Sequence, residues 1–248
     1  MKLFNKGLIS LFIILSTFSS LSFLKKETKF LKNTFKKTLV TPKLSKENDK
    51  KWANEILKGG YLLLFRHAER EKWIDVQMYD ALESDLHKNG FNDSRYAEKD
   101  YFDKAVCLNS RGKIQAKAMQ EVINYSKLPV GYVISSPSCR ARQTANLVFG
   151  GYQKLDRDLV HYGPYNENQD IRNQKLKNLF LSLPIQANTN TVISAHNSVA
   201  DCGVFVNKFC DLNLEEGGFF VIQKDNDKLK LVYEFHNFND FSKVFFKR

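Results

Sequence analysis

Three short apolar runs in this chain each end directly on basic or polar residues. The runs span residues 61–65, 131–134 and 190–194, and the groups that follow them are Arg66 with His67, then Arg140, then His196. Runs of this length and composition predict buried β-strands. A buried strand that ends on a charge is costly unless the charge faces a cleft, because buried charge needs partners. Since ligands bind at the carboxyl ends of parallel strands, the three runs predict one anion pocket.

Three motifs at these strand ends resemble those of the histidine phosphatase (phosphoglycerate mutase-like) superfamily. The first, Arg-His-Ala-Glu, begins at Arg66, and the second, Ser-Ser-Pro-Ser-Cys-Arg-Ala-Arg-Gln-Thr-Ala, covers residues 135–145. The third is the Ala-His pair that ends at His196, and all three follow the family's order within residues 61–235. The resemblance implies an α/β fold, a three-layer α/β/α sandwich with a largely parallel central sheet.

The rest of the sequence agrees with such a fold, because strand patterns alternate with helical ones. A helix is predicted to begin after Cys107, with Asn109 or Ser110 as its cap. Its apolar stripe is predicted to contain Ile114, Ala118, Val122 and Ile123. Residues 219–222 and 229–235 predict a terminal hairpin.

The resemblance also implies a mechanism, in which His67 attacks the phosphorus and water hydrolyses the resulting phosphohistidine. Arg66, Arg140 and His196 are then expected to bind the phosphoryl oxygens, with Arg70 and Asn197 completing the phosphate-binding set. Arg70 matches the second arginine of the acid-phosphatase branch, although Lys72 replaces that branch's proline. No cofactor and no metal are expected, because the sequence has neither a Cys-x-x-Cys nor a His-Glu-x-x-His pattern.

The proton donor is the catalytic residue with the most alternatives. One family branch places an aspartate directly after the second histidine, but Asn197 stands there and an amide cannot serve as a carboxylic acid. The other branch places a glutamate some two dozen residues after the second-motif arginine, which Glu167 matches. Glu167 is therefore the predicted general acid, with Glu69 and Asp75 as alternatives. A purely structural role for Glu167 in the first turn of a helix is the competing interpretation.

The predicted reaction is hydrolysis of a phosphomonoester on a small molecule or a glycan. Two alternatives stay open at this point. One is a phosphoglycerate mutase-like phosphotransferase, and the other is a non-catalytic relative that binds a phosphate ligand.

Residues 71–106 form an unusually long connection and are expected to cover the pocket. Four cysteines permit disulfides, and Cys107 with Cys139 is the favoured pair.

Charge and hydropathy divide the chain into three parts. Residues 1–24 combine a basic start with an apolar run and predict a signal peptide or signal anchor. Residues 25–51 are a lysine-rich linker or amphipathic segment, and residues 52–248 are the predicted histidine phosphatase domain.

The net charge of +11 is concentrated near the start of the chain. Residues 1–51 contain twelve lysines and three acidic residues (net +9), which leaves 26 basic and 24 acidic residues, or +2, for residues 52–248. A nearly neutral domain gives nucleic-acid binding little support. The expected location is periplasmic or extracellular, with membrane association through residues 1–40 or anchoring by an uncleaved signal.

Overall fold

The computed structural model describes residues 46–70, 107–160, 168–197, 199–200, 203–206 and 213–246. The described elements belong to one unit, Lys46–Arg248. Its helices are α1 (Lys46–Ile56), α2 (Ser110–Ser126), α3 (Cys139–Phe149), α4 (Gln169–Ser182) and α5 (Phe238–Phe245). Its strands are β1 (Leu62–Arg66), β2 (Val130–Ser135), β3 (Lys154–Leu155), β4 (Asn190–Ala195), β5 (Phe219–Asp225) and β6 (Lys228–Phe235).

The strands form one six-stranded sheet in the order β3-β2-β4-β1-β5-β6. The first four run parallel to one another, whereas β5 is antiparallel to both β1 and β6. In register, Arg66 of β1 pairs with Ala195 of β4, and Ser194 pairs with Ser135 of β2. The three motif-bearing strands therefore end side by side at one edge, as the sequence predicted.

Helices cover both faces of the sheet. Successive residues of a strand point to opposite faces, so an interior strand can contact both helix layers. On one face Leu63 and Phe65 pack with residues of α1, α2, α3 and α5, and on the other Leu62 and Leu64 pack with residues of α4. Strand β1 is apolar on both faces from Leu62 to Phe65, as expected for a strand whose sheet is covered on both sides. The predicted three-layer α/β/α sandwich with a largely parallel sheet is confirmed.

The buried stripe of α2 differs from the predicted one. The helix buries Gly112, Ala116, Met119 and Ile123, whereas Ile114 is 69% exposed. Ala118, also placed in the stripe, is exposed as well. Of the predicted stripe, Ile123 is buried and Val122 is partly buried against the core, so half of the prediction is confirmed. The favoured face is set by the close approach of Gly112 to the first motif.

Helix α1 adds a layer of contacts that the sequence did not predict, and residues 46–51, assigned to the lysine-rich segment, form its first half. Trp52 stacks on Tyr233 of β6 with ring centroids 5.7 Å apart. The Tyr233 hydroxyl donates a 2.5 Å hydrogen bond to Asp49.

The predicted signal segment 1–24 and the predicted cover 71–106 lie outside the described residues. Within the described parts of the chain, no helix has the length and apolar character needed to cross a membrane.

Candidate active site

His67 lies immediately after β1, buried, with 4% of its surface exposed. Its backbone N–H continues the sheet by donating to the Ala195 carbonyl at 3.1 Å. Its ring Nδ1 lies 2.7 Å from the Ala68 carbonyl oxygen. Because a carbonyl can only accept, Nδ1 carries the hydrogen, and Nε2 keeps its lone pair in the neutral ring. The local backbone thus selects the tautomer that a nucleophilic Nε2 requires.

Burial lowers the pKa of His67 well below its usual value of 6.5. The positive charges of Arg140, Arg66 and Arg70 act in the same direction, while the hydrogen bond to the Ala68 carbonyl opposes them. A histidine among cations loses its proton readily, since two like charges repel. His67 is therefore neutral at and below neutral pH.

His196 follows β4 and is brought against His67, with ring centroids 5.3 Å apart and planes at 64°. It is 2% exposed, and its Nε2 lies 3.1 Å from the Ser136 hydroxyl. Ser136 is itself fixed, because its backbone N–H donates to the Ser194 carbonyl at 2.9 Å. The structure thus brings together the two histidines that the sequence singled out.

Arg140 occupies the first turn of α3 and is almost completely buried, with 1% exposed. Thr144, one turn later, donates to the Arg140 carbonyl at 2.8 Å and accepts from the Ala68 N–H at 3.0 Å. One hydroxyl therefore ties the second motif to the first. The predicted disulfide between Cys107 and Cys139 is confirmed, and it fixes the residue that precedes Arg140.

Arg66 is the last residue of β1, and its guanidinium is held by residues 213–218, named here the 213–218 loop. Nη1 donates to the Leu214 carbonyl, and Nη2 lies 3.4 Å from Glu216 Oε1. Nε is buried and has no hydrogen-bond partner among the described residues. Burial lowers the pKa of Arg66, the Glu216 charge raises it, and the Arg140 charge lowers it. The two arginines are therefore close enough to interact electrostatically.

Asn197 faces the same loop. Its side-chain oxygen accepts from the Leu214 N–H at 2.5 Å, and its amide nitrogen donates to Asn213 Oδ1 at 2.8 Å. The side chain therefore fixes the 213–218 loop, and its expected contact with phosphate stays a prediction.

The other predicted site residues fall into two groups. The Arg70 charge reaches His67, and the Arg70 backbone forms an isolated antiparallel bridge with Leu108. The Glu69 carboxylate, an alternative proton donor, is bound by Arg111 and by the Asn109 amide at 3.2 Å. Glu167, the predicted general acid, and Asp75 lie outside the described residues.

Nowhere in the described part of the chain do three His, Cys, Asp or Glu side chains form a group that could hold a metal ion.

Four supporting residues were not singled out from the sequence. Ser136 and Thr144 lie within the second motif, so the motif itself was the signal that could have identified them. Gln115 and Glu216 belong to no motif and reach the site only through the tertiary fold. Their contacts connect positions that are 46 and 150 residues apart.

The comparison with protein families matches residues 62–161 to the histidine phosphatase superfamily, branch 1. The match covers 100 of the 248 residues of the chain. The match contains the first two motifs, and the described geometry adds the third, at His196, beside them. The similarity supports phosphatase or phosphotransferase activity. Comparison with curated protein sequences gives no significant match.

Solved structures similar to this chain include the following three. One is the product of open reading frame Rv3214 from Mycobacterium tuberculosis, which is 14% identical, covers 70% of this chain and 96% of its own, and has a TM-score of 0.44. Another is the protein histidine phosphatase SixA complexed with tungstate (11% identical, 70% and 95% covered, TM-score 0.45). A third is a phosphoserine phosphatase variant from Entamoeba histolytica bound to phosphoserine (15% identical, 70% and 95% covered, TM-score 0.43).

Proposed function

We propose that this protein is a phosphomonoester hydrolase that works through a phosphohistidine on His67. The observation that carries the proposal is the convergence of His67, His196, Arg66 and Arg140 at one edge of the sheet. The neutral His67 ring, with Nδ1–H on a carbonyl, supplies a nucleophile. The arginines supply the positive charge that stabilises a transferring phosphoryl group.

The proposed reaction has two steps. In the first, the His67 Nε2 lone pair forms a bond to phosphorus while the bond from phosphorus to the leaving oxygen breaks. The general acid gives its proton to that oxygen, so the alcohol leaves neutral. In the second, the conjugate base takes a proton from water, the oxygen attacks phosphorus, and the phosphorus–nitrogen bond breaks. Inorganic phosphate leaves, and His67 is neutral again.

The proposed general acid is Glu167, on the resemblance described above. Asn197 cannot fill this role, because an amide has no acidic proton in the required range. Glu69 is disfavoured by the location of its carboxylate, which is bound by Arg111 and Asn109 at the start of α2. We assign the substrate only as a phosphomonoester on a small molecule or glycan.

The test is hydrolysis of para-nitrophenyl phosphate by the full chain in the presence of EDTA. We expect turnover that survives the chelator and falls by on the order of 10⁴-fold or more in His67→Ala. His236→Ala is the matched control, because its side chain is 45% exposed and pairs with Glu234 at 2.9 Å.

Three results would contradict the proposal or narrow it. Full activity in His67→Ala would show that another residue is the nucleophile. Phosphate binding by the wild type without any turnover would favour a non-catalytic relative. Transfer of the phosphoryl group to an added alcohol, in place of phosphate release, would favour a phosphotransferase.

We also propose that the protein is exported and that its amino-terminal part associates with a membrane. The apolar run within residues 1–24 and the lysines that follow support this proposal. The disulfide supports it independently, since such bonds persist mainly in oxidising compartments. The test is alkylation of intact cells by a membrane-impermeant thiol reagent after mild reduction. Labelling of Cys107 and Cys139 in intact cells, only after reduction, is expected. Cysteines that are labelled only once the cells have been lysed would contradict the proposal.

A further inference from the structure

The 213–218 loop is bonded directly to the first motif through the backbone. The Arg66 N–H donates to the Gly218 carbonyl at 2.9 Å, and the Gly217 N–H donates to the His67 carbonyl at 3.1 Å. The loop leads into β5, which pairs with β1 along its length. The backbone of the loop is therefore fixed relative to the residues that carry the proposed chemistry.

Side chains from two other elements hold the same loop in place. Gln115 of α2 donates to the Glu216 carbonyl at 2.9 Å, and its amide oxygen accepts from the Glu69 N–H at 2.9 Å. Asn197, directly after His196, accepts from the Leu214 N–H. The loop is thus connected to both histidine motifs. Such a connected polar network is suited to fixing the positions of its members.

The two Nη atoms of the Arg66 guanidinium and its Nε atom differ in their contacts. The Leu214 carbonyl accepts from Nη1, and the Glu216 carboxylate lies 3.4 Å from Nη2. Nε is buried without a hydrogen-bond partner in the described residues. A buried N–H is costly to leave unsatisfied, so this atom is expected to meet an acceptor when the site is occupied. An arginine that is held at its Nη atoms can present Nε in one fixed direction.

We propose that Glu216 is a positioning residue that, together with the Leu214 carbonyl, holds the Arg66 guanidinium so that its Nε faces a phosphoryl oxygen. This inference rests on the proposed function and assigns no chemical step to Glu216. A long arginine side chain has many rotamers, and fixing it before the substrate arrives removes that entropy from the binding step. The carboxylate also offsets part of the repulsion between Arg66 and Arg140.

An alternative role for Glu216 predicts the opposite change in phosphate affinity when its side chain is removed. If the carboxylate only competed with phosphate for Arg66, its removal would make phosphate bind more tightly, because one negative charge near the anion would be lost. If it positions Arg66, its removal weakens phosphate binding even though the site becomes more positive. The direction of the change therefore separates the two roles.

The experiment measures inorganic phosphate binding by calorimetry, and kcat/KM for para-nitrophenyl phosphate, in the full chain. We expect Glu216→Ala to weaken phosphate binding and to lower kcat/KM by about tenfold each, the factor that 1.4 kcal/mol represents. Glu216→Gln is expected to recover part of this loss, because its amide oxygen can still accept from Arg66. In an Arg66→Ala background, the further change Glu216→Ala is expected to alter both quantities by less than about twofold.

Glu215→Ala is the matched control, since Glu215 is in the same loop and its charge also acts on Arg66, but its side chain is 64% exposed and lies 3.8 Å from His236. We expect it to bind and turn over normally. A wild type that binds and hydrolyses while Glu216→Ala is unchanged, or binds phosphate more tightly, overturns the positioning role alone. An equal loss in the Arg66→Ala background does the same, because it shows that Glu216 acts independently of Arg66. A wild type that neither binds nor hydrolyses overturns the proposed function and this inference with it.

Discussion

His67 is kept neutral by burial and by three arginines, and no carboxylate accepts its ring hydrogen among the described residues. This differs from the arrangement in which a carboxylate orients a histidine and stabilises its protonated form. A carbonyl oxygen fixes the tautomer of His67 without raising the pKa enough to offset the cations. The depressed pKa of His67 keeps the ring neutral, which is the form that the proposed attack on phosphorus requires.

This electrostatic arrangement predicts how activity depends on pH. In the wild type, the acid limb of kcat/KM that reports His67 should lie below pH 6.5, because the pKa of His67 is depressed. Arg70→Gln removes one of the charges that depress it, so the pKa of His67 rises and the acid limb moves to higher pH. The measurement is kcat/KM for para-nitrophenyl phosphate from pH 4 to pH 8.

Lys228→Gln serves as the charge-matched control for this shift. Lys228 begins β6, beside the turn at the opposite end of the sheet, since β5 runs antiparallel to β1. Its substitution should leave the acid limb where it is. A limb that stays in place in Arg70→Gln, or moves to lower pH, would show that the Arg70 charge does not control His67.

The sequence predicts which residues lie at this edge of the sheet better than it predicts their contacts. The common location of Arg66, His67, Arg140 and His196 was predictable because each lies at or soon after the end of a short strand, and parallel strands end at a common edge. Glu216 was not, because its role depends on a contact with a residue 150 positions earlier. The side chain of Asn197 contacts the 213–218 loop, which its position beside His196 did not indicate, and its phosphate contact stays a prediction.

Helices α2 and α3 lie against each other beside the site and are joined near their starts by a covalent bond. Cys107 lies three positions before the first residue of α2, and Cys139 is the first residue of α3. The close approach of α2 to the first motif is set by Gly112, where a Cβ atom would lie 1.9 Å from the Glu69 carbonyl oxygen. Both helices are thus positioned by contacts close to the residues that would bind phosphate.

The disulfide should matter for stability and for phosphate binding. Its cysteines are 32 positions apart, so the loop-entropy relation predicts that Cys107→Ala/Cys139→Ala lowers the free energy of unfolding by about 3–4 kcal/mol. Phosphate affinity should fall as well, because Arg140 follows Cys139 directly. Urea unfolding and calorimetry measure the two effects.

Reductant provides the control for the disulfide prediction. It should destabilise the wild type toward the level of the double variant and leave the double variant unchanged. Equal effects of reductant on both proteins, or none on either, would argue against a stabilising bond between these cysteines.

Elements were predicted best where the pattern is short and strongly apolar. The five strand patterns at residues 61–65, 131–134, 190–194, 219–222 and 229–235 are all strands in the structure. Helix α1 was missed because lysines and acids dominate its first half, and α5 because Phe238 and Phe241 become informative only once they pack on the sheet. The predicted stripe of α2 was right for Val122 and Ile123 and wrong for Ile114 and Ala118, because helical spacing alone does not say which face is buried.

For the protein as a unit, the sequence predicted the layers but not the order of the strands. The parallel core follows from alternating helices and strands. The placement of the β5–β6 hairpin beside β1 does not, because a hairpin can join either side of a sheet. Its actual position depends on matched apolar surfaces, such as the stack of Phe65 on Phe219 with centroids 4.4 Å apart.

That placement puts β1 in the interior of the sheet, hydrogen-bonded to β4 on one side and to β5 on the other. Strands with two neighbours and two covered faces open only when the whole domain opens, so their amide hydrogens exchange slowest with solvent. The proposed nucleophile directly follows such a strand. Cooperative unfolding and loss of the nucleophile's geometry are therefore one event, and catalytic competence is expected to persist until the domain itself melts.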